Sequence, residues 1–203
     1  MPESEQTGYL NGIIAGKVTK ANIIGNVGPV DGGDSARYNR GFYLGVKAVN
    51  PRASIKLAYT GSFGDFVKAA ELAHTDVKAG ADVLTGASQQ ATGALRAVAE
   101  YKDKKIWWLG QDTEQLTMPE SFKVIAAASY DYTAVVEGII SKREAKVLGG
   151  ENIPMNFANG GFVYQFNDKV GSVLTPDIRK AVNAALKDMK AGKLKLDWKV
   201  EMK

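Results

Sequence analysis

The chain has 203 residues, 45% hydrophobic and 24% charged, an ordinary globular mixture that excludes intrinsic disorder and low-complexity scaffolds. Cysteine is absent and histidine occurs once, at His74, which removes disulfides and thiol chemistry and makes a histidine metal site or a serine-type triad hard to build. The formal charge of +4 is too mild for the concentrated basic face that nucleic acid requires.

Met1–Thr7 is polar and acidic, unlike a secretory leader. No apolar run reaches the roughly 18–20 residues of a membrane helix. Thr7–Lys17 (TGYLNGIIAGK) reads as an apolar, glycine-spotted helix. Asn22–Val27 reads as a strand closed by Gly28 and Pro29. Tyr38, Phe42, Val46 and Val49 then lie on one face of a helix over 34–49, which Asn50-Pro51 stops. Ser54–Tyr59 is the next strand, and Phe66, Ala70, Ala73 and Val77 mark the next helical face, closed by Gly80. Asp82–Leu84 is a short strand, Thr92–Tyr101 a helix, and Ile106–Leu109 and Lys123–Ala127 are strands. Trp107 and Trp108 adjoin within a strand, so one core tryptophan is expected on each sheet face. Val135–Lys146 is helical, with Val135, Val136, Ile139 and Ile140 apolar. Phe162–Phe166 reads as a strand. Thr175 as N-cap and Pro176 at the first helical position open a last helix ending at Gly192, with Ile178, Val182, Ala185 and Met189 inward. Lys187, Lys190, Lys193, Lys195, Lys199 and Lys203 read as a solvated basic helix and tail.

Strands alternating with helices at this spacing predict a parallel, doubly wound α/β lobe over residues 20–146. Residues 1–19 and 147–203 fit that lobe less easily. Ligands of such sheets bind at the carboxyl ends of the strands. That rule selects the loops 28–34 (GPVDGGD), 61–65 (GSFGD), 85–93 (TGASQQATG), 110–117 (GQDTEQLT) and 129–132 (SYDY). No phosphate-binding glycine motif is present, and Asp31 and Asp34 occupy the first loop, which opposes a phosphate ligand. No cofactor, metal cluster or activated nucleophile emerges, so an enzyme is not expected. Phe63 follows Gly61-Ser62 at a strand end, where it either stacks on a flat ring or caps the core beneath its loop. Asp112 is either an acceptor for ligand hydroxyls or an N-cap carboxylate.

The segments TGYLNGIIAGK, IIGNVG, SARYNRGFYLGVKAVNP, GSFGDFVKAAELA, KAGADVL and WWLGQD, in this order, resemble the basic membrane protein family. These are solute-binding lipoproteins of ABC transporters, a group that includes purine-nucleoside receptors. The resemblance runs from Gly8 to Lys195 and is most specific at Arg37 with residues 40–51, at residues 61–65 and at Gly110-Gln111-Asp112.

The resemblance implies a type I periplasmic-binding-protein fold, in which two α/β lobes close on a ligand about a hinge. It implies that Phe63 stacks on a nucleoside base and that Asp112 holds ribose hydroxyls. Ser62, Gln111 and Asp131 are expected to assist, with Asp31 and the Gln89–Thr92 loop at the mouth. ABC permease subunits are the implied partners, with no nucleic acid. A longer form is expected to carry a signal, a lipid-anchor cysteine and most of the first lobe, and to be extracytoplasmic and membrane-anchored. Residues 20–146 are then the second lobe, and 1–19 and 147–203 hinge and first-lobe elements. The family's lysine after the next strand falls near Ala127–Ser129, where this chain has Ser129, Tyr130 and Asp131 instead. A ligand sensor or regulator built on the same lobe is the alternative reading.

Overall fold

The structure, a computed structural model, describes residues 1–202. Lys203, the last of the terminal lysines, lies outside the described residues. The elements run α1 (Glu5–Val18), β1 (Ile23–Gly28), α2 (Gly33–Val49), β2 (Ser54–Tyr59), α3 (Phe66–Lys78), β3 (Val83–Gly86), α4 (Ala91–Glu100), β4 (Trp107–Gly110), β5 (Val124–Tyr130), α5 (Thr133–Glu144), β6 (Phe162–Phe166) and α6 (Pro176–Lys190). Their strands form one sheet in the order β2-β1-β3-β4-β5-β6. The first five are parallel and β6 runs antiparallel to β5. α-Helical crossovers join β1 to β4 in succession, as the alternating sequence predicts, and two short 3₁₀ turns, Thr113–Leu116 and Pro119–Lys123, carry the chain from β4 to β5.

The sheet is buried on both faces, so it has two cores. Leu10, Ile14, Ile24, Phe42, Val46, Val83, Leu109, Ile125, Val182 and Met189 fill the face under α1, α2 and α6. Val27, Leu84, Leu95, Val98, Trp108 and Val124 fill the face under α3 and α4. Trp107 and Trp108 divide between these faces as their alternation requires. The Trp108 indole is fully buried and donates to Gln115 Oε1 at 2.8 Å.

The elements flanking residues 20–146 pack against the sheet. α1 lies against α2 through glycines on both helices. A Cβ on Gly8 or Gly12 would stand 2.2 Å from the carbonyl oxygen of Tyr38 or Phe42, and one on Gly41 or Gly45 would stand 2.1 Å from that of Glu5 or Tyr9. The absent side chains are what let the backbones approach. β6 completes the sheet edge and α6 covers the face beside α1. Thr175 caps α6 by accepting the Ile178 N–H at 3.3 Å, and Asp177 in its first turn binds Lys17 of α1 at 2.8 Å. Residues 1–19 and 160–190 therefore belong to the same body as residues 20–130.

α5 departs from expectation in the opposite sense. Its apolar side chains do not reach the sheet: Val136, Ile139 and Ile140 are about half exposed, and Leu148 beyond the helix is 88% exposed. The chain leaves the sheet after Tyr130 and returns at residues 152–161. Asp131 N–H donates to Gly161 carbonyl at 3.0 Å, and the Met1 amino group donates to Ile153 carbonyl at 2.6 Å. α5 is thus the outer part of an excursion pinned at its base.

Under the carboxyl ends of β3 and β4 runs a buried polar network. Asn11 Nδ2 donates to Tyr38 hydroxyl at 2.8 Å and to Gly110 carbonyl at 2.9 Å, and Tyr164 hydroxyl donates to Asn11 Oδ1 at 2.8 Å. Tyr38 hydroxyl and Thr85 Oγ1 are 2.6 Å apart, and Thr85 donates on to Leu109 carbonyl at 2.8 Å. It joins α1, α2, β3, β4 and β6 where the strands end, and satisfied buried polar groups of this kind hold one arrangement rigidly.

Candidate functional site

β1 is bonded to β2 on one side and β3 on the other. The chain leaving β1 enters α2 on one face of the sheet, and the chain leaving β3 enters α4 on the other. Their loops diverge, and a cleft of about 930 Å³ opens between them at the carboxyl ends of the strands. Small-molecule sites span roughly 300–1,000 Å³.

The loop carrying Phe63 is held from both sides. Thr60 and Gly61 N–H groups donate to the carbonyls of Gly28 and Pro29 at 3.0 and 2.8 Å, tying it to the β1 loop. Thr60 Oγ1 donates to Ser62 carbonyl at 2.6 Å, and Ser62 Oγ accepts the Gly64 N–H at 3.2 Å. Gly61 takes the turn at φ +79°, which a side chain would strain. The result presents Phe63 to the cleft with its residue 52% exposed, so it does not cap the core.

Gln89, Gln111 and Asp112 line the same cleft. Gln111 Oε1 accepts the Ser88 N–H at 2.9 Å and joins the β4 loop to the β3 loop. Asp112 Oδ1 accepts the Glu114 N–H at 3.0 Å and caps the short helical turn Thr113–Leu116. Asp112 is therefore a cap and a cleft residue at once.

The other three expected residues stand beside the cleft. Ser62 is spent on its own loop. Asp31 faces the neighbouring depression lined by Trp198 and is bidentate to Arg40, at 2.7 and 3.2 Å, which holds its carboxyl low. Asp131, just ahead of α5, accepts the Thr133 N–H at 2.9 Å, a bond that also lowers its carboxyl. The segment expected as loop 129–132 is half strand, because Ser129 and Tyr130 pair with Val163 and Phe162 of β6.

The structure adds Phe66, Tyr130, Tyr132 and Asp34 to the cleft. Phe66 was expected inward on its helix, yet it is 42% exposed, because it is the first residue of α3 and precedes the packed turns. Its carbonyl lies against Gly93 of α4, where a Cβ would stand 2.1 Å away. Tyr130 and Tyr132 stack with ring centroids 5.8 Å apart and planes at 28°. An exposed aromatic in a polar loop after a strand, the feature that marks Phe63, also marks Tyr132.

Asp34, Asp112 and Glu114 line the cleft, and no lysine, arginine or histidine does so among the described residues. Burial pushes the Asp34 carboxyl up against the pull of Arg37, whose guanidinium is engaged by Glu5 at 2.5 and 2.6 Å. A phosphate would meet like charge and no cation here. Aromatic faces, amides and carboxylate acceptors suit an uncharged, flat, hydroxyl-bearing ligand. Among the described residues no cluster could hold a metal ion, and no helix is long and apolar enough to cross a membrane.

Residues 3–187 match the Bmp family, described as ABC transporter substrate-binding protein PnrA-like. A CD4+ T-cell-stimulating antigen of Listeria innocua is 33% identical over 144 residues, which are 68% of this chain and 40% of the antigen. The ABC transporter nucleoside-binding protein BmpA of Lactococcus lactis is 28% identical, over 93% of this chain and 57% of that protein. The solved structure of an ABC transporter solute-binding protein from Conexibacter woesei superposes with a TM-score of 0.77 at 26% identity, over 96% of this chain and 63% of that one. The chain thus spans between about two fifths and three fifths of the length of these relatives.

Proposed function

The chain belongs to the Bmp family of PnrA-like ABC transporter substrate-binding proteins, a family of binding proteins and not of enzymes, and from that membership we propose that its cleft binds a nucleoside, purine nucleosides first. The observation that carries the reading is the pairing of exposed Phe63 with Asp112 in a cleft without cations. Phe63 stacks on the base and Phe66 borders it. Asp112 accepts from the ribose hydroxyls. Gln89 and Gln111 meet the remaining polar edges. The Lactococcus relative, called nucleoside-binding, supports the ligand class.

The cleft lies among the loops at the carboxyl ends of the strands. In a longer, extracytoplasmic and lipid-anchored form, a second lobe covers it, and ligand contacts on both sides favour the closed state, which the ABC permease subunits then recognise. The absence of a lysine at residues 127–129 shifts sugar recognition onto Asp112 and Tyr130.

Calorimetric titration of adenosine, guanosine and inosine tests the reading. At least one is expected to bind, and Phe63→Ala to weaken it at least tenfold, or about 1.4 kcal/mol. Asp112→Asn is expected to weaken ribonucleosides more than the free bases. Nucleoside monophosphates are expected to bind more weakly than nucleosides, because the cleft offers their charge no partner. If no nucleoside gives heat with this chain or a longer form, the ligand assignment fails.

A further inference from the structure

At the carboxyl terminus Leu194, Leu196, Trp198, Val200 and Met202 alternate with Lys195, Asp197, Lys199 and Glu201. That is the period of a β-strand with one buried face. The structure extends the alternation to burial: each of these apolar residues is half-buried and each charged one exposed. Leu194 and Leu196 pack on the core of the α1 face. Trp198 lies with its ring 5.2 Å from the guanidinium carbon of Arg37, which Glu5 in turn holds. The apolar face is therefore already seated on its own body.

The backbone is not seated. Lys195–Val200 belongs to no strand, and none of its main-chain groups joins a backbone ladder among the described residues. The Lys199 N–H donates locally to Asp197 Oδ1 at 3.2 Å. A row of N–H and C=O groups outside any ladder, on an alternating segment, is a template for another strand.

We infer that this segment pairs antiparallel with the same segment of a second copy of the chain, about a two-fold axis at Trp198. The charge order is complementary in that register. With Trp198 opposite Trp198, Lys195 faces Glu201 and Asp197 faces Lys199, and the symmetry repeats both pairs. Leu196 then faces Val200 and Leu194 faces Met202 on the other side. Opposite charges directly across strands stabilise an antiparallel pair, and like charges destabilise it. A slip by two residues in one direction sets Asp197 against Glu201 and Lys199 against itself. A slip in the other direction sets Lys195 against Lys199 and Asp197 against itself. A slip by one residue puts apolar opposite charged side chains. Parallel in-register pairing puts every charge against its like. Of these registers the antiparallel, Trp198-centred one alone satisfies both faces, and such an interface is isologous and closes at two copies.

Sedimentation equilibrium of the whole chain reads the outcome. The expected mass is twice 21.8 kDa, in reversible equilibrium with the monomer. The double variant Lys195→Glu/Lys199→Glu makes the segment wholly acidic, and Asp197→Lys/Glu201→Lys makes it wholly basic. Each alone is expected to be monomeric with an unchanged circular dichroism spectrum, because the four positions are exposed. Mixing the two is expected to restore a dimer containing one of each. A monomeric wild-type chain overturns the inference. So does a dimer that survives both charge changes, which would place the contact elsewhere, for example on the apolar side of α5.

Discussion

Asp76 of α3 is the residue whose setting is most at odds with its chemistry. The residue is 5% exposed, its buried Oδ2 has no hydrogen-bond partner among the described residues, and that oxygen lies where a Cβ on Gly25 of β1 would stand 2.6 Å away. Burial pushes the carboxyl up to about 6, with Lys56 pulling weakly the other way. The unfolded carboxyl titrates near 4. Between about pH 4 and pH 6 the folded chain holds a proton that the unfolded chain has lost, so stability falls as pH rises through that window and then levels. Asp76→Asn is expected to gain on the order of 1–2 kcal/mol at pH 7 and to lose most of that slope, read from urea midpoints between pH 4 and pH 8. Nothing in the sequence marked Asp76. Lys123 was equally hidden: it is 3% exposed and donates to the carbonyls of Tyr101 and Lys104 at 2.7 Å, closing the turn after α4. Phe63 and Asp112 line the cleft, but from the residues alone each kept two readings, and the family resemblance is what favoured a ligand role for them. Asp31 and Asp131 are of the same residue types in the same kind of loop. They were separated from the cleft only by Arg40 and by the α5 amides, which arrive from elsewhere in the fold.

At the scale of elements, α1 and α5 exchange their expected roles. α1 is glycine-spotted, which weakens an isolated helix, yet it is almost wholly buried. The glycines serve contact with α2 and not helix formation. Gly12→Ala puts a methyl 2.2 Å from the Phe42 carbonyl oxygen, so the two helices must separate. The expected loss is roughly 2–3 kcal/mol, seen as a lowered urea midpoint, whereas an alanine at Gly138 of α5, whose Cβ would meet nothing within 4 Å, leaves the midpoint within about 0.5 kcal/mol or raises it. Periodicity finds an apolar stripe and cannot say whether the molecule covers it. α5 has such a stripe and the body does not reach it.

At the scale of the whole molecule, α1, β6 and α6 decide where the folding unit ends. A fragment of residues 20–146 would leave Ile24, Phe42, Leu109 and Ile125 facing water, because Leu10, Ile14, Val182 and Met189 cover them. That fragment is expected to be unfolded or aggregated, by circular dichroism and amide chemical-shift dispersion, while residues 1–202 unfold in one cooperative step. A well-dispersed fragment would support the boundary that the strand-helix pattern suggested.

The sequence by itself determined the strand-helix alternation, the parallel sheet, the caps at Asn50-Pro51 and Thr175, and the set of loops at the strand ends. These depend on short-range periodicity, steric limits on φ and turn chemistry, all of which act within a few residues. Only the tertiary structure decided that α1 and α6 share one core, that α5 stands off it, and that Asp31 turns to Arg40 while Asp34 and Asp112 face the cleft. Those outcomes rest on contacts between residues far apart in the chain, and whether a stripe or a carboxylate finds a partner depends on which elements the topology brings beside it.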